Sequence, residues 1–463
     1  MNKLKRFFQT SAIYFAGNVL SKLVAFLLLP LYTIYIQPEQ YGEYDLVLTF
    51  INLVAPVAFF QIWDGMFRFS FDSEKVCDKY KVINNALVVF SIGFLLYGAI
   101  FLALYDYYHF EYWLDALIYG ALFAVHYTYS FSARIFLDNV LFVSSGLVNT
   151  ILTALINVVL IVVFDWDVRS LYVSASIGCF AQIIIIELKL NLFSHFKKSD
   201  IYPEICKKML IFSFPLCLAT ISYWLLSGFT RVSIVNQLGN GENGQFAVAS
   251  RFASMITIIV NVFQFAWNEL AYIISGDSDR KQKYAESTNL LFKTIVIGSA
   301  ILCVIVKVVY PYIIDAKYEN ALILVPITIM GVAFNSMAGF LGTFFMAEKK
   351  TNHILYTTLI AATLNSIICF TMIRNWGLSG AAWILTMSFF ILMVMRIVIL
   401  NKKFEVDFER KNYLFLSTFV LMLLTYYYNT TVLVDTLLVF VLLSIYLLSV
   451  RKYIKIYLLN RRK

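Results

Sequence analysis

The 463-residue sequence contains little charge, cysteine or histidine. Only 14% of its residues are charged, which is too few for an ordinary soluble domain. The six cysteines show no CxxC spacing and fall in apolar runs or in segments predicted to be cytoplasmic, so we interpret them as unreactive thiols. The four histidines are scattered, which predicts no metal site. A GxxxxGK[ST] motif is missing, which argues against direct ATP hydrolysis, and we expect no cofactor.

Apolar residues dominate instead, with 60% hydrophobic residues and a mean hydropathy of +0.76. A helix needs about 20 apolar residues to cross a bilayer. Continuous runs of that kind, unlike the alternating pattern of a transmembrane barrel, predict an all-α polytopic membrane protein with about 14 transmembrane helices. The predicted spans are 10–36, 42–62, 82–105, 112–133, 140–164, 170–190, 209–235, 244–268, 289–312, 320–346, 354–373, 377–400, 412–429 and 432–450.

The net charge of +9 follows from membrane topology. If Met1 is cytoplasmic, most of the 37 basic residues fall in cytoplasmic segments, and the outer segments hold only Arg169, Lys317 and Arg374. This bias obeys the positive-inside rule. It predicts a membrane protein with both termini cytoplasmic, and it requires no nucleic-acid partner.

An internal repeat divides the chain. The motif YGEY at 41–44 aligns with NGQF at 243–246, an offset of 202, and LYVSA at 171–175 aligns with LSGAA at 378–382. Such repeats are common in secondary transporters. We predict two six-helix lobes and two extra C-terminal helices, with the domains being an N-terminal lobe (1–190), a cytoplasmic linker (191–208), a C-terminal lobe (209–400), and spans 13 and 14 with a basic tail (401–463).

Several segments resemble the polysaccharide transporter family, which comprises flippases of lipid-linked oligosaccharides and includes the O-antigen flippases. The matching segments are FAGNVLSKLVAFLLLPLY (15–32), YGEYDLVLTF (41–50), GMFRFSFD (65–72), FSFPL (212–216), FQFAW (263–267), AEKKTNH (347–353) and WGLSGAA (376–382), together with Trp224, Arg231, Gly239, Gly244 and Asn365. They follow the family's order over nearly the whole chain.

The resemblance implies a two-lobed helical bundle with a central cavity, located in the bacterial inner membrane. By alternating access, such a protein moves an undecaprenyl-diphosphate-linked oligosaccharide, such as an O-antigen or other polysaccharide repeat unit, from the cytoplasmic to the periplasmic leaflet. Its implied partners are this substrate, membrane lipids, a polysaccharide polymerase and a chain-length regulator. Many family members carry an acidic residue just before the arginine of the seventh span, but this sequence has Thr230 there. Arg231 must therefore find a counter-ion elsewhere.

Basic residues within the spans are the candidate substrate-binding residues, because an ionised side chain is costly in a membrane. Lys22 lies near the middle of its span, and either lines a cavity or makes a structural hydrogen bond. Arg231 and Arg251 lie near the outer ends of their spans, and either hold an anion or reach lipid phosphates. Lys293, Lys307 and Arg396 lie close enough to span ends to reach the interface by snorkelling.

We therefore predict a cationic set of Lys22, Arg231, Arg251 and Arg68 that holds the diphosphate, although Arg68 could equally be a topology anchor. Asp45 is predicted to pair with Arg231 or Arg251 when an outer gate is shut. The other predicted gating residues are the glycines of the repeated motif and acidic residues at the inner ends of spans two and eight. They are Gly42, Gly244, Asp64 and Glu269.

Two other functions remain open at the level of sequence. An ion-coupled multidrug exporter of similar fold would favour an acidic cavity, whereas the deep charges here are mostly basic. A membrane oligosaccharide polymerase would need a large outer loop or a cluster of catalytic groups, and the sequence shows neither. The mode of energy coupling stays open.

Overall fold

The computed structural model describes residues 19, 20, 22–73, 75–273, 280–348, 350–409, 411–428 and 432–460. Side chains within these ranges are described except at 262, 265, 266, 268–273, 411, 418, 432 and 448–460. The chain divides into two compact units, Met1–Val232 and Ser233–Lys463. Each unit is built from long apolar helices.

In the first unit, most consecutive helices are joined by connections of two to six residues, and the last connection, 191–202, is longer. They are α1 (Lys22–Tyr35), α2 (Pro38–Ala58), α3 (Ile62–Phe69), α4 (Val76–Tyr108), α5 (Trp113–Ile135), α6 (Asn139–Val162), α7 (Arg169–Leu190) and most of α8 (Pro203–Leu238). Helix α7 packs against α5 and α6. The exposed residues of α6 are mainly apolar. Only 17% of the residues in its most apolar 18-residue stretch are buried, as expected for a lipid-facing helix.

Among its described residues, the second unit contains the end of α8 and six further α-helices. They are α9 (Asn240–Ile273), α10 (Arg280–Ile313), α11 (Asn320–Ala347), α12 (Asn352–Phe404), α13 (Lys411–Tyr428) and α14 (Val432–Asn460). Helix α11 packs against both α9 and α12. Because 72% of the residues in its most apolar 18-residue stretch are buried, α11 forms the centre of this unit.

Two sharp breaks in the described helices are relevant to the site. Between α2 and α3, Phe60 and Gln61 adopt positive φ angles of 54° and 46°, and the helix axes bend by 50°. Within α12, Gly377 has φ 63° and ψ −163°, which is a backbone conformation that only glycine adopts readily. The predicted second span therefore ends in a broken helix, and Gly377 separates predicted spans eleven and twelve.

The prediction of an all-α polytopic membrane protein is confirmed. Within the described ranges, seven helices are long and apolar enough to cross a membrane, or eight if α2 and α3 form one span. Helices α2 and α9 begin at Pro38 and Asn240, 202 residues apart, which is the offset of the repeated motif. The start of the first predicted span, residues 10–18, lies outside the described residues.

The prediction that the remaining membrane cations snorkel is wrong for Arg396, and all three of these cations are paired in the structure. Lys293 is 3% exposed and its Nζ lies 2.7 Å from Glu409 Oε2. Arg396 is 5% exposed and donates to Ala338 O and to two threonine hydroxyls. Lys307 also turns inward, with its Nζ 2.5 Å from Asp435 Oδ2. Acceptors within the protein satisfy all three cations, and Glu409 lies in the connection before α13 rather than within a helix.

Candidate functional site

Helix α8 runs antiparallel to α2 and α3 within the first unit. Polar contacts join these helices along their length. Arg231 forms an ion pair with Asp45. Trp224 Nε1 donates a hydrogen bond to Thr49 O at 2.8 Å, and Thr220 Oγ1 donates one to Gln61 Oε1 at 3.0 Å. At the other end, a Cβ added at Gly65 would lie 2.7 Å from Ser213 Oγ, so the two helices approach closely there. The sequence separation of these partners exceeds 140 residues, so no local pattern reveals them.

The ion pair between Asp45 and Arg231 is the outermost of these contacts by the predicted topology. Arg231 Nε donates to Asp45 Oδ2 at 2.5 Å, and the two side chains are only 12% and 20% exposed. The neighbouring Thr230 is fully buried. Removing either charge would leave the other one poorly solvated, which is costly in a low-dielectric site. Asp45 thus supplies the counter-ion that position 230 lacks.

Trp224 lies one helical turn from Gly228 on α8, and glycine makes room for its indole ring. A Cβ at Gly228 would lie 2.5 Å from Trp224 Nε1, the nitrogen that donates to Thr49 O. The indole also packs against Phe50, with the ring centroids 6.0 Å apart. Gly228 therefore helps to set the position of a side chain that connects α8 to α2. Sequence analysis did not single it out, because a glycine in an apolar run carries no signal of its own.

Gln61 was also missed by the sequence analysis. Its left-handed backbone ends the first part of the second span, and its side chain accepts from Thr220 of α8. A non-glycine residue in this conformation carries a backbone cost of the order of 1–3 kcal/mol that surrounding contacts must offset. The one available signal was Pro56, because a proline inside a helix removes a backbone donor and favours a break.

The other predicted residues of the first unit lie at several places along it. Lys22 is half-buried in α1, and Gly42 is buried in α2, one turn before Asp45. Asp64 is half-buried in α3. Arg68 is exposed at the end of α3, where its Nη1 lies 2.7 Å from Asp72 Oδ1. The structure thus joins Asp45 with Arg231, whereas Arg68 pairs with a carboxylate outside the predicted set.

In the second unit, the predicted residues lie on α9. Arg251 is half-buried and Gly244 is buried. The side chain of Glu269 lies outside the described residues. Trp267 is 5% exposed and packs against Phe340 and Phe344, with ring centroids 5.7 and 5.6 Å away. This tryptophan is therefore a core residue of its unit.

The scattered histidines of the sequence predicted no metal site. No group of three or more histidine, cysteine, aspartate or glutamate side chains that could hold a metal ion is found among the described residues. Of the six cysteines, Cys77 alone is exposed. The polar chemistry of the first unit is therefore that of paired charges and hydrogen bonds between helices.

Comparison with known proteins identifies the fold. A solved structure of the lipid II flippase MurJ in its inward closed conformation has a TM-score of 0.68 and 13% identity, covering 96% of this chain and 100% of that chain. An inward-facing multidrug resistance MATE family transporter of the MOP superfamily has a TM-score of 0.63 and 14% identity, covering 82% of this chain and 96% of that chain. An outward-facing MATE family transporter has a TM-score of 0.58 and 13% identity, covering 86% of this chain and 95% of that chain.

Sequence comparison gives the family. No curated protein sequence gives a significant match. Residues 7–267, more than half of the chain, match the family described as polysaccharide biosynthesis protein. The resemblance found in the sequence is thereby confirmed, and the fold is one that a lipid II flippase and MATE family transporters share. This membrane protein, with charges paired between its helices, belongs to the polysaccharide biosynthesis protein family.

Proposed function

We propose that the protein is a flippase that moves an undecaprenyl-diphosphate-linked oligosaccharide, such as an O-antigen or other polysaccharide repeat unit, to the periplasmic leaflet. It would act by alternating access in the bacterial inner membrane, with both termini cytoplasmic. The family match and a fold shared with a lipid II flippase support this class of substrate. A polysaccharide polymerase and a chain-length regulator are the partners proposed with it.

The observation that carries the proposal is the Asp45–Arg231 ion pair. A guanidinium can bind a phosphate group in a bidentate manner, as it binds a carboxylate. A diphosphate could therefore replace Asp45 as the partner of Arg231 without leaving the cation unpaired. In this mechanism Asp45 holds Arg231 when the outer gate is shut, and the substrate competes for Arg231 during transport.

The remaining proposed residues extend this mechanism. The proposed cationic set also includes Lys22, Arg251 and Arg68. Lys22 would attract the diphosphate as a point charge, whereas an arginine can bind it through two N–H groups at once. The proposed gating residues besides Asp45 are Gly42, Gly244, Asp64 and Glu269.

A multidrug exporter is the second candidate, because the MATE transporters share the fold. It would favour an acidic site for a cationic drug. Arg231 instead brings a positive charge to the site, which favours an anionic substrate. Replacing Arg231 should therefore affect glycan delivery rather than drug resistance.

The test uses charge removal and charge exchange at the ion pair. Asp45→Asn and Arg231→Gln should each strongly reduce delivery of glycan to the cell surface, because each removes one charge of a largely buried ion pair. The exchanged protein, Asp45→Arg with Arg231→Asp, should regain part of the delivery. Surface glycan is measured by immunoblot, and the amount of protein in the membrane is measured in parallel.

Lys281→Gln is the matched control. Lys281 forms an ion pair with Glu405 in which the side chains are 46% and 74% exposed, and such surface pairs contribute about 0–1 kcal/mol. Its replacement should leave delivery unchanged. Full delivery by both single variants of the buried pair would refute the proposed gate, and a deletion strain with normal surface glycan would refute the flippase function.

A further inference from the structure

A cavity of about 600 Å³ lies in the first unit, away from the Asp45–Arg231 pair. It is bounded by the end of α3, the start of α4 and the segment that leads into α8. By the predicted topology, all three segments lie on the cytoplasmic side. Sites for small ligands commonly have volumes of about 300–1,000 Å³, so the cavity is large enough to hold part of a substrate.

The charges around this cavity nearly cancel. Asp72, Asp78 and Glu204 line it together with Lys81 and Lys208. Lys81 Nζ lies 3.3 Å from Asp78 Oδ1, and the adjacent Arg68 neutralises Asp72. A diphosphate would therefore gain little net attraction here, since each paired cation already has a carboxylate partner. The balance favours a neutral polar ligand.

The hydrogen-bonding groups of the cavity suit a ligand rich in hydroxyl groups. Carboxylates accept hydrogen bonds from hydroxyls, and ammonium groups donate to them. Glu204 and Lys208 lie one turn apart on α8, both exposed, and neither forms an ion pair or side-chain hydrogen bond within the described part of the chain. These two side chains therefore offer the two acceptor oxygens of a carboxylate and up to three N–H donors to a ligand.

Apolar groups complete the lining. Phe69 and Tyr202 both face the cavity, and Tyr202 is 44% exposed. Sugar rings present a face of C–H groups surrounded by hydroxyls, so an aromatic surface next to charged acceptors and donors matches both parts of a sugar. Pockets of this kind combine apolar walls with a few placed polar groups.

The wall that carries Tyr202 is held in place by α4. Asn85 is fully buried, its Oδ1 accepts from Tyr202 N at 2.6 Å, and its Nδ2 donates to Asp200 O at 2.8 Å. Nearby, Tyr80 OH donates to Leu190 O at 2.9 Å. The segment before α8 is thus fixed to α4, and the cavity is preformed.

We propose that this cavity binds the saccharide part of the lipid-linked substrate on the cytoplasmic side before translocation. The proposal rests on the flippase function proposed above, and it adds a separate contact for the sugar. Recognition at this site would help to select substrates by their glycan, whereas the ion pair would recognise the diphosphate common to them all.

The test measures protection of a cysteine in the cavity. Glu204→Cys is introduced with Cys77→Ser, which removes the exposed native cysteine. Inverted membrane vesicles are treated with a membrane-impermeant maleimide. One set comes from cells that make the complete lipid-linked oligosaccharide, and the other comes from cells that lack the first sugar transferase and therefore hold only the unglycosylated lipid phosphates.

The oligosaccharide should slow labelling of Glu204→Cys several-fold, and the unglycosylated lipid should not. Lys197→Cys, an exposed position outside the cavity lining, is the control and should be labelled at the same rate in both sets. Adding Tyr202→Ala should abolish the protection, because it removes the aromatic wall. Equal labelling of Glu204→Cys in both sets, or protection by the unglycosylated lipid, would overturn the proposal.

Glycan delivery by the unsubstituted protein is compared with delivery in a deletion strain as a separate measurement. Delivery without protection would overturn the saccharide site and leave the flippase function standing. Protection without any dependence of delivery on the protein would retain the saccharide site and overturn the flippase function.

Discussion

At the scale of single residues, the contact between α8 and α2 depends on a glycine as much as on charges. The side chain of Trp224 occupies the space that a Cβ at Gly228 would need, and the same indole nitrogen donates to Thr49 O. A larger residue at 228 must move either the indole ring or the helix. Gly98 of α4 has no heavy atom within 4 Å of its added Cβ and provides the comparison.

Gly228→Ala should lower the stability of the detergent-solubilised protein by about 1–3 kcal/mol, because overpacking displaces Trp224 from its acceptor. Gly98→Ala should leave stability unchanged or raise it by about 0.5–1 kcal/mol, since alanine is the better helix former. Thermal unfolding followed by intrinsic fluorescence measures both. If the two variants have the same unfolding temperature, the packing role of Gly228 is wrong.

Sequence reasoning found part of the site at this scale. Arg231 within an apolar run and Thr230 at the position of an expected acid predicted that a distant counter-ion was needed, and Asp45 was among the predicted gating residues. The sequence left open whether Asp45 would meet Arg231 or Arg251. Gln61 and Gly228 stayed unrecognised, because their importance comes from what faces them and not from their own chemistry.

At the scale of helices, α13 and α14 are connected to α10 through charged side chains. Lys307 of α10 lies 2.5 Å from Asp435 of α14, and Asp435 is fully buried and also accepts from Thr425 Oγ1 of α13 at 2.7 Å. Lys293 of α10 pairs with Glu409, just before α13. The two C-terminal helices lie outside the sequence repeat, yet a buried ion pair and a half-buried one connect them and the segment before α13 to α10.

Lys307→Met should destabilise the protein by about 3–5 kcal/mol, because it leaves the Asp435 carboxylate buried without its counter-ion. The double variant Lys307→Met with Asp435→Leu should recover most of the loss, since it removes both charges. Thermal stability in detergent measures both effects. A single variant as stable as the unsubstituted protein would show that this pair does not hold α14.

At the scale of the whole molecule, the distribution of basic residues predicts the orientation of the chain in the membrane. Basic residues concentrate in every second connecting segment, and the lipid-facing helices between these segments are apolar. Orientation follows from such a bias because positively charged loops are retained in the cytoplasm.

A reporter inserted after Arg374 should be periplasmic, and one fused after Lys403 should be cytoplasmic, because the predicted twelfth span separates them. Alkaline phosphatase should be active only at the first position, and a green fluorescent protein should fluoresce only at the second. The two fusions control for each other. The same reporter response at both positions would overturn the predicted topology.

The sequence by itself determined the class of the protein, because the length and apolarity of each helix depend on local composition and the bilayer requires both. It also determined the family, because the matching segments occur in a fixed order along the chain. Tertiary structure alone decided which charges meet. Asp45 reaches Arg231, Lys307 reaches Asp435, and Arg396 finds neutral acceptors, because these contacts join residues that are distant in sequence and depend on which face each helical segment turns inward.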